Sequence, residues 1–203
     1  EAAYPAYPHE PRYEDYFDEN GEGDWDAYMA AEDEYMAAMQ KLGKGRLDQE
    51  SAAPVLAFAD RTAGAIFADS ENRVYSPISL YAALAMLTEV TDGGTKRQVM
   101  DLLAADDAAA LRQRIKDLWI GVYTDDDQSV CRLANGAFLR ENAEVKQEAV
   151  DTLADWHFAS TYRVPMGTEE ADKAIAGWLN QNTGGLLSEE TGNIRTDGND
   201  LLR

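Results

Sequence analysis

The chain has 203 residues, with 38 Asp and Glu against 18 Lys and Arg, so its formal net charge is −20 at pH 7. Nucleic acids and anionic membranes are bound by clustered Lys and Arg, so this balance argues against both as partners. No stretch is long and apolar enough to span a bilayer, and the length suits one domain with a tail.

The first fifty residues differ in composition from the rest of the chain. They hold 14 Asp and Glu against 4 Lys and Arg, with 6 of the 10 Tyr and 3 of the 6 Pro. Residues 1–23 combine Pro and Gly with no apolar period, which predicts a largely disordered or extended tail. We therefore assign residues 1–51 to an acidic Tyr- and Pro-rich linker and residues 52–203 to the folded domain.

Within this linker, apolar side chains recur at helical spacing and predict an amphipathic helix over residues 24–42, with Gly43 as its stop. The stripe consists of Trp25, Tyr28, Met29, Tyr35, Met36, Met39 and Leu42. Aromatic and Met side chains in such a stripe could dock in a groove of a partner protein. Packing on its own domain is the commoner arrangement, and the acidic polar face argues against membrane docking.

The folded domain is predicted to begin with two helices. The first covers residues 54–68, with Val55, Ala59, Ile66 and Phe67 facing inward. Residues 72–87 then indicate a short strand that leads into an apolar helix, where Ser76 can cap the first free N–H groups and Pro77 fits the first turn. We expect this second helix to be buried on most sides, which requires a larger α+β domain.

The remaining residues alternate between helices and strands. Capping-box spacing from Thr95 to Gln98 predicts a short helix, and residues 111–122 predict an amphipathic one. Residues 129–140 are apolar on both faces, so they predict one central strand in which Cys131, the single cysteine, is an inert buried thiol. A helix over residues 145–156, a strand over 160–164 and a helix over 171–179 follow, with Gly184 and Gly185 as the last stop.

Four stretches resemble landmarks of the serpin family, and they occur in the family's order. N-R-V-Y-S-P-I-S at 72–79, with A-M-L at 85–87 and D-G-G-T at 92–95, resembles helix B and the turn into helix C. L-A-N-G-A-F-L at 133–139 resembles the second strand of the main sheet, and W-H-F-A-S-T-Y at 156–162 the approach to its first strand. I-A-G-W-L-N-Q-N-T at 175–183 resembles helix F, although Ala176 stands where the family usually has Asn.

The resemblance implies the N-terminal part of the α+β serpin fold, with the family's helices A to F and the first strands of main sheet A. It places the start of the third strand of that sheet at about residues 200–203, and the reactive loop beyond this chain. The implied function is inhibition of a serine or cysteine protease by cleavage-triggered loop insertion and covalent trapping. A non-inhibitory serpin that acts as a binding or surface protein is the alternative, and an enzyme is disfavoured.

The same resemblance implies a target protease as partner and an extracellular or cell-surface location. We expect no cofactor and no metal, and the charge and hydropathy given above argue against nucleic acid and membrane insertion. No residue is assigned a catalytic role. The residues assigned by resemblance to the shutter, where the main-sheet strands part, or to structural positions are Asn72, Ser76, Pro77, Ser79, Asn135 and Thr183.

Simpler roles remain open for several polar residues. Ser76 can be only a helix cap, Asn135 a buried group that satisfies local backbone atoms, and His157 a structural residue. The basic residues Arg112, Arg114 and Lys116 correspond to a helix that binds heparin in some serpins. Because they lie amid negative charge, we expect them on a solvated face.

Overall fold

Seven α-helices and four short strands make up the part of the chain that the structure, a computed structural model, describes: residues 8–43, 49–69, 72–125, 128–187 and 190–203. The helices are α1 (Trp25–Leu42), α2 (Gln49–Ile66), α3 (Pro77–Val90), α4 (Gly93–Leu102), α5 (Ala108–Val122), α6 (Gln147–His157) and α7 (Glu169–Asn182). The strands are β1 (Thr124–Asp125), β2 (Val130–Cys131), β3 (Asn135–Arg140) and β4 (Ala159–Val164). None of these helices has the length and apolar character needed to cross a membrane.

Strands β3 and β4 pair in parallel, in register from Asn135 opposite Ala159 to Arg140 opposite Val164. The other edge of β3 is taken by the last residues of the chain, which run antiparallel to it. Phe138 and Arg203 exchange two backbone hydrogen bonds of 2.8 and 2.9 Å, and the N–H of Arg140 donates to the carbonyl of Leu201. Residues 201–203 therefore extend the sheet where the resemblance places its third strand.

Strand β3 is covered on both faces because alternate side chains point to opposite sides of a sheet. Phe138 packs with Ala171, Ile175 and Trp178 of α7. Ala137 points the other way and packs with Met86 of α3 and Leu153 of α6. The sheet is thus sandwiched between α7 and the α3–α6 layer.

Helices α2, α3 and α5 enclose the largest cluster of buried apolar residues. Trp119 of α5 is central to it, since its ring stacks on Phe158 at a centroid distance of 4.0 Å. The indole N–H of Trp119 donates to the carbonyl of Leu133 at 2.8 Å. Buried members from the three helices are Val55, Phe58, Tyr81, Ala82, Ala85, Leu111, Ile115, Leu118 and Trp119.

The prediction of one central strand over residues 129–140 is wrong. Only 135–140 form β3, whereas β2 pairs with β1 in a separate two-stranded hairpin. The carbonyl of Leu133, between the two strands, bonds to a side chain instead of a neighbouring strand. Val130 is 58% exposed and Cys131 is exposed, so Cys131 is not a core thiol.

Helices α2, α3 and α4 also differ in detail from the predictions. Residues 72–75 form no strand. Phe67, predicted to face inward, lies beyond the end of α2 and is 49% exposed, whereas Phe58 of α2 is buried. Helix α4 begins at Gly93 rather than near Thr95 because the carboxylate of Asp92 accepts from the N–H of Gly93 at 2.7 Å. Helix α3 is less enclosed than expected: its Ser79 is exposed.

The N-terminal segment contains more structure than the sequence predicts. Residues 13–15 form a short 3-10 turn, and Phe17 is buried and bridges to Gly23. The Tyr123 hydroxyl donates to the carbonyl of Pro8. Residues 13–23 thus contain local turns within the acidic linker, and α1 (Trp25–Leu42) lies where the sequence predicts a helix at 24–42. Residues 1–7 lie outside the described residues.

Candidate functional site

The two serines assigned to the shutter lie together at the start of α3. The hydroxyl oxygen of Ser76 accepts from the backbone N–H of Ser79 at 3.3 Å, and the two hydroxyls are 2.8 Å apart. Pro77 occupies the first helical turn, where its missing N–H costs no hydrogen bond. The capping role of Ser76 is thus present, and both serines are exposed in this chain.

The other assigned residues lie apart from these serines. The amide of buried Asn135 donates to the carbonyl of His157 at 2.7 Å, which joins the start of β3 to the end of α6. The Thr183 hydroxyl donates to the carbonyl of Leu179 at the end of α7. Asn72 is exposed in the segment before α3. No hydrogen bond between described residues joins the serine pair to Asn135 or Thr183.

A buried ion network connects α3, α5 and α6. The Glu89 carboxylate, 3% exposed, accepts two hydrogen bonds from the Arg112 guanidinium at 2.9 and 2.7 Å. The fully buried ring of His157 lies with Nε2 3.2 Å from the same carboxylate. Because an ionised carboxylate only accepts, Nε2 carries the proton that it donates. The predicted structural role of His157 agrees with this geometry, since the ring has no access to solvent.

The charge on Glu89 is held by its two partners. Burial alone would raise the pKa of its carboxyl, but the hydrogen bonds from Arg112 and His157 outweigh burial and lower the pKa from 4.5 to about 2. Glu89 also raises the pKa of Arg112. Sequence reasoning missed Glu89, although a signal existed: one carboxylate at the end of an apolar helix needs a buried partner.

An open cleft of about 440 Å³ lies above this network, between the end of α3 and the starts of α4 and α6. Its charged lining carries both signs: Glu89, Asp92, Lys96, Arg112, Glu144, Lys146 and Glu148. Such mixed charge does not select a ligand of one sign. Over the residues that the structure describes, no group of three or more His, Cys, Asp or Glu side chains could hold a metal ion.

A second cavity, of about 230 Å³, lies between α3 and β3, beside the contact of Met86 with Ala137. Its lining is almost wholly apolar and includes Leu84, Leu87, Val90, Ala137, Leu153 and Leu202. The cavity lies on the face of the sheet opposite α7. It leaves room beneath β3 where α3 and the strand are not in full contact.

On the other face of the sheet, α7 packs closely on β3 through Trp178. A Cβ atom added to Gly136 would lie 2.9 Å from Cζ2 of the Trp178 ring, which is closer than two carbon atoms can pack. The same indole meets the Phe138 ring edge-on at 5.9 Å. Gly136 is therefore the position that allows this approach.

The three basic residues on α5 each have an intramolecular partner. Arg112 binds Glu89, and Arg114 donates to the Tyr81 hydroxyl at 2.8 Å. The Lys116 ammonium lies 5.5 Å from the centre of the Trp156 ring, in cation–π geometry. These contacts disfavour a polyanion site here, and they replace the free solvated face that the sequence predicts.

Comparison with known proteins adds to this geometry. The family model described as serpin (serine protease inhibitor) matches residues 55–201. Serpin-Z1A of Triticum aestivum is 25% identical over 125 residues, which cover 59% of this chain and 31% of that protein. Serpin-ZXA of Oryza sativa subsp. japonica is 24% identical over 124 residues, with coverage of 58% and 31%. The chain spans about a third of the length of these curated relatives.

Solved structures share the fold at low identity. A loop C-sheet serpin polymer superposes with a TM-score of 0.68 at 20% identity, covering 79% of this chain and 42% of that one. The thermophilic serpin Tengpin in its latent state gives 0.68 at 20% identity, covering 78% and 43%. AtSerpin1 of Arabidopsis, in its native stressed conformation, gives 0.65 at 21% identity, covering 77% and 42%. The likeness is one of fold, and it involves less than half of each structure.

Proposed function

The chain belongs to the serpin family, and from this premise we propose that the protein containing it inhibits serine or cysteine proteases by covalent trapping. In this proposal the bait loop for the protease lies C-terminal to residues 55–201, which the family model matches. The residues described here contribute part of the sheet that accepts this loop after cleavage.

In the proposed mechanism, cleavage of the bait peptide bond stops at the acyl-enzyme intermediate. The protease nucleophile, a Ser Oγ or Cys Sγ, attacks the carbonyl carbon of the bait peptide bond. The C–N bond breaks, the new amino terminus takes the proton lost by the nucleophile, and the acyl group stays on the protease as an ester or thioester. The freed loop then adds to the main sheet as a strand, which moves the protease and distorts its active site before water can hydrolyse the bond.

The packing of β3 is the observation that carries this proposal. Strand addition widens a sheet, so the helices on both of its faces must shift relative to the strands. Trp178 rests on the bare backbone of Gly136 on one face, and an apolar cavity of about 230 Å³ lies between α3 and β3 on the other. Both features favour movement of α7 and α3 relative to β3, because few interlocking side chains hold the helices to the strand there.

The serine pair fits a role in the same movement. We propose that Ser76 and Ser79 form part of a small polar network under the place where the main-sheet strands part. Their hydroxyls, 2.8 Å apart, can exchange hydrogen bonds as the strands move. Their small volume leaves room for that movement. This role depends on cover supplied by the rest of the domain, because both serines are exposed in this chain.

Covalent trapping is tested with the full-length protein and a panel of serine and cysteine proteases. Each protease is incubated with the protein, denatured in SDS and examined by electrophoresis and intact mass. We expect at least one protease to give an SDS-resistant 1:1 complex, and the same protease with its nucleophile replaced by Ala to give none. Cleavage of the bait loop by several proteases without any complex would overturn the proposal and favour a non-inhibitory serpin.

We also propose that the protein acts outside the cytoplasm, in solution or tethered to a cell surface, where a protease inhibitor of this type would meet its target. Fractionation of the source cells, with antibody detection in medium, surface and cytosol, tests this location. Confinement to the cytosol would contradict it.

A further inference from the structure

Helix α1 is well formed although none of its residues is buried. The Asp24 carboxylate accepts from the N–H of Ala27 at 2.9 Å and caps the start of the helix, and Gly43 closes its end at φ 84°. The segment is tied to the domain near both ends: the Tyr123 hydroxyl donates to Pro8, and Leu42 packs against the main core. Between these ties, no side chain of the helix is buried by the described residues.

Three large apolar side chains form an exposed stripe on this helix. Trp25 is 57% exposed, Met29 51% and Met36 61%. Spacings of four and eleven residues place them within about 40° of one another around a helix of 3.6 residues per turn. Trp is enriched among residues that dominate binding energy, and Met adapts to varied partner surfaces. We name Trp25, Met29 and Met36 the α1 stripe.

Two aromatic rings pack against the Trp25 ring and hold its orientation, so it presents an ordered surface to a partner. Its centroid lies 4.7 Å from that of Phe17 and 6.0 Å from that of Tyr28. Gly23 allows the preceding turn, because an added Cβ there would lie 2.6 Å from the Phe17 ring. An anchor that is already ordered loses less conformational entropy on binding.

Charge limits what can cover this stripe. Residues 8–43 carry 11 Asp and Glu against 2 Lys and Arg, a net charge of −9. A second copy of the chain would bring the same charge, and anionic lipid or nucleic acid would also be repelled. A protein surface with an apolar groove and a rim of Lys and Arg fits both features, because the groove can cover the stripe and the rim attracts the negative charge.

We infer that the α1 stripe and its acidic surroundings form a docking surface for a cationic target protease, at a distance from the bait loop. The stripe lies outside the residues matched by the family model, so this surface is an addition to the serpin domain. The inference rests on the proposed function. Docking at the stripe speeds the encounter with a cationic protease and leaves the covalent step unchanged.

The test measures the rate constant for SDS-resistant complex formation by the full-length protein with a cationic and an anionic trypsin of the same specificity. Replacing the stripe by Trp25→Ala, Met29→Ala and Met36→Ala together should slow capture of the cationic enzyme at least tenfold and leave the anionic enzyme unaffected. Asp33→Asn, at an exposed carboxylate beside the stripe on α1, should slow it by a smaller factor. Val74→Ala, at a fully exposed apolar side chain away from α1, is the matched control. Equal rates for wild type and the triple variant would overturn the inference while covalent trapping stands.

A second measurement separates this inference from the proposed function. Cationic trypsin with its active-site Ser replaced by Ala is titrated into the full-length protein, and binding is followed by fluorescence anisotropy. Binding that is lost in the triple variant supports docking even if no protease gives a covalent complex. Absence of binding to the wild type, or dimerisation of the wild type through the stripe in sedimentation velocity, would overturn the inference.

Discussion

Gly136 and Trp178 are in direct contact across the interface between β3 and α7, with the indole ring at the position that a Cβ atom would need. This contact sets the distance between the helix and the sheet that it covers. It also leaves no side chain from residue 136 to lock the helix in place. The following prediction tests the contact directly.

Gly136→Ala should destabilise the chain by about 1–3 kcal/mol, because the added methyl group displaces Trp178 from the strand. Urea unfolding followed by Trp fluorescence measures the change. Gly177→Ala on α7 is the control, since an added Cβ there meets nothing within 4 Å. That variant should be neutral or more stable by about 0.5–1 kcal/mol, as expected for Gly to Ala within a helix. Equal effects of the two changes would contradict the contact.

The Glu89 network predicts a loss of stability in acid. Its carboxyl has a pKa of about 2 in the folded chain against an ordinary 4.5. The depressed pKa therefore contributes stability fully above pH 4.5, and that contribution is lost as the pH falls from 4.5 towards 2. The contribution is roughly 3 kcal/mol for this almost fully buried group.

This acid sensitivity is measured as the free energy of urea unfolding between pH 6 and pH 2. Wild type should lose stability across this range more steeply than Glu89→Gln, and the two curves should converge near pH 2. Glu144→Gln, at an exposed position of the same cleft, should follow the wild-type slope. Parallel curves for wild type and Glu89→Gln would show that the network does not hold the charge of Glu89.

The serine pair predicts different behaviour in this chain and in the full-length protein. Ser79→Leu should change the stability of this chain by less than about 0.5 kcal/mol, because Ser79 is exposed here. In the full-length protein, where the proposed shutter covers Ser79, the same change should cost about 1–3 kcal/mol and promote polymerisation on warming. Melting curves and size-exclusion profiles of both proteins make the comparison. An unchanged, monomeric full-length variant would rule out a shutter role for Ser79.

Exposure of Cys131 predicts a reactive thiol in the native chain. One equivalent of DTNB should react without denaturant, because the side chain is accessible at the end of the short hairpin. Cys131→Ser should leave the free energy of unfolding within about 0.5 kcal/mol of wild type. A thiol that reacts only in denaturant would restore the buried position that the sequence suggests.

Sequence patterns predicted the elements whose signals are local. Helix α5 follows from the spacing of Leu111, Ile115 and Leu118, and the start of α3 from the cap at Ser76. The errors arise where contacts between residues distant in sequence determine the local structure. The indole N–H of Trp119 donates to the carbonyl of Leu133, at the break between β2 and β3. Glu89 and His157 form a pair although they are far apart in sequence. Neither contact leaves a periodic signal in the sequence.

The central claim is that the main sheet accepts the cleaved loop as an added strand. The most direct measurement is the melting temperature of the full-length protein before and after cleavage of its bait loop by a protease that does not remain bound. An inserted strand adds backbone hydrogen bonds and buried area to the sheet, so the cleaved protein should melt well above the intact one. An equal or lower melting temperature after cleavage would contradict insertion.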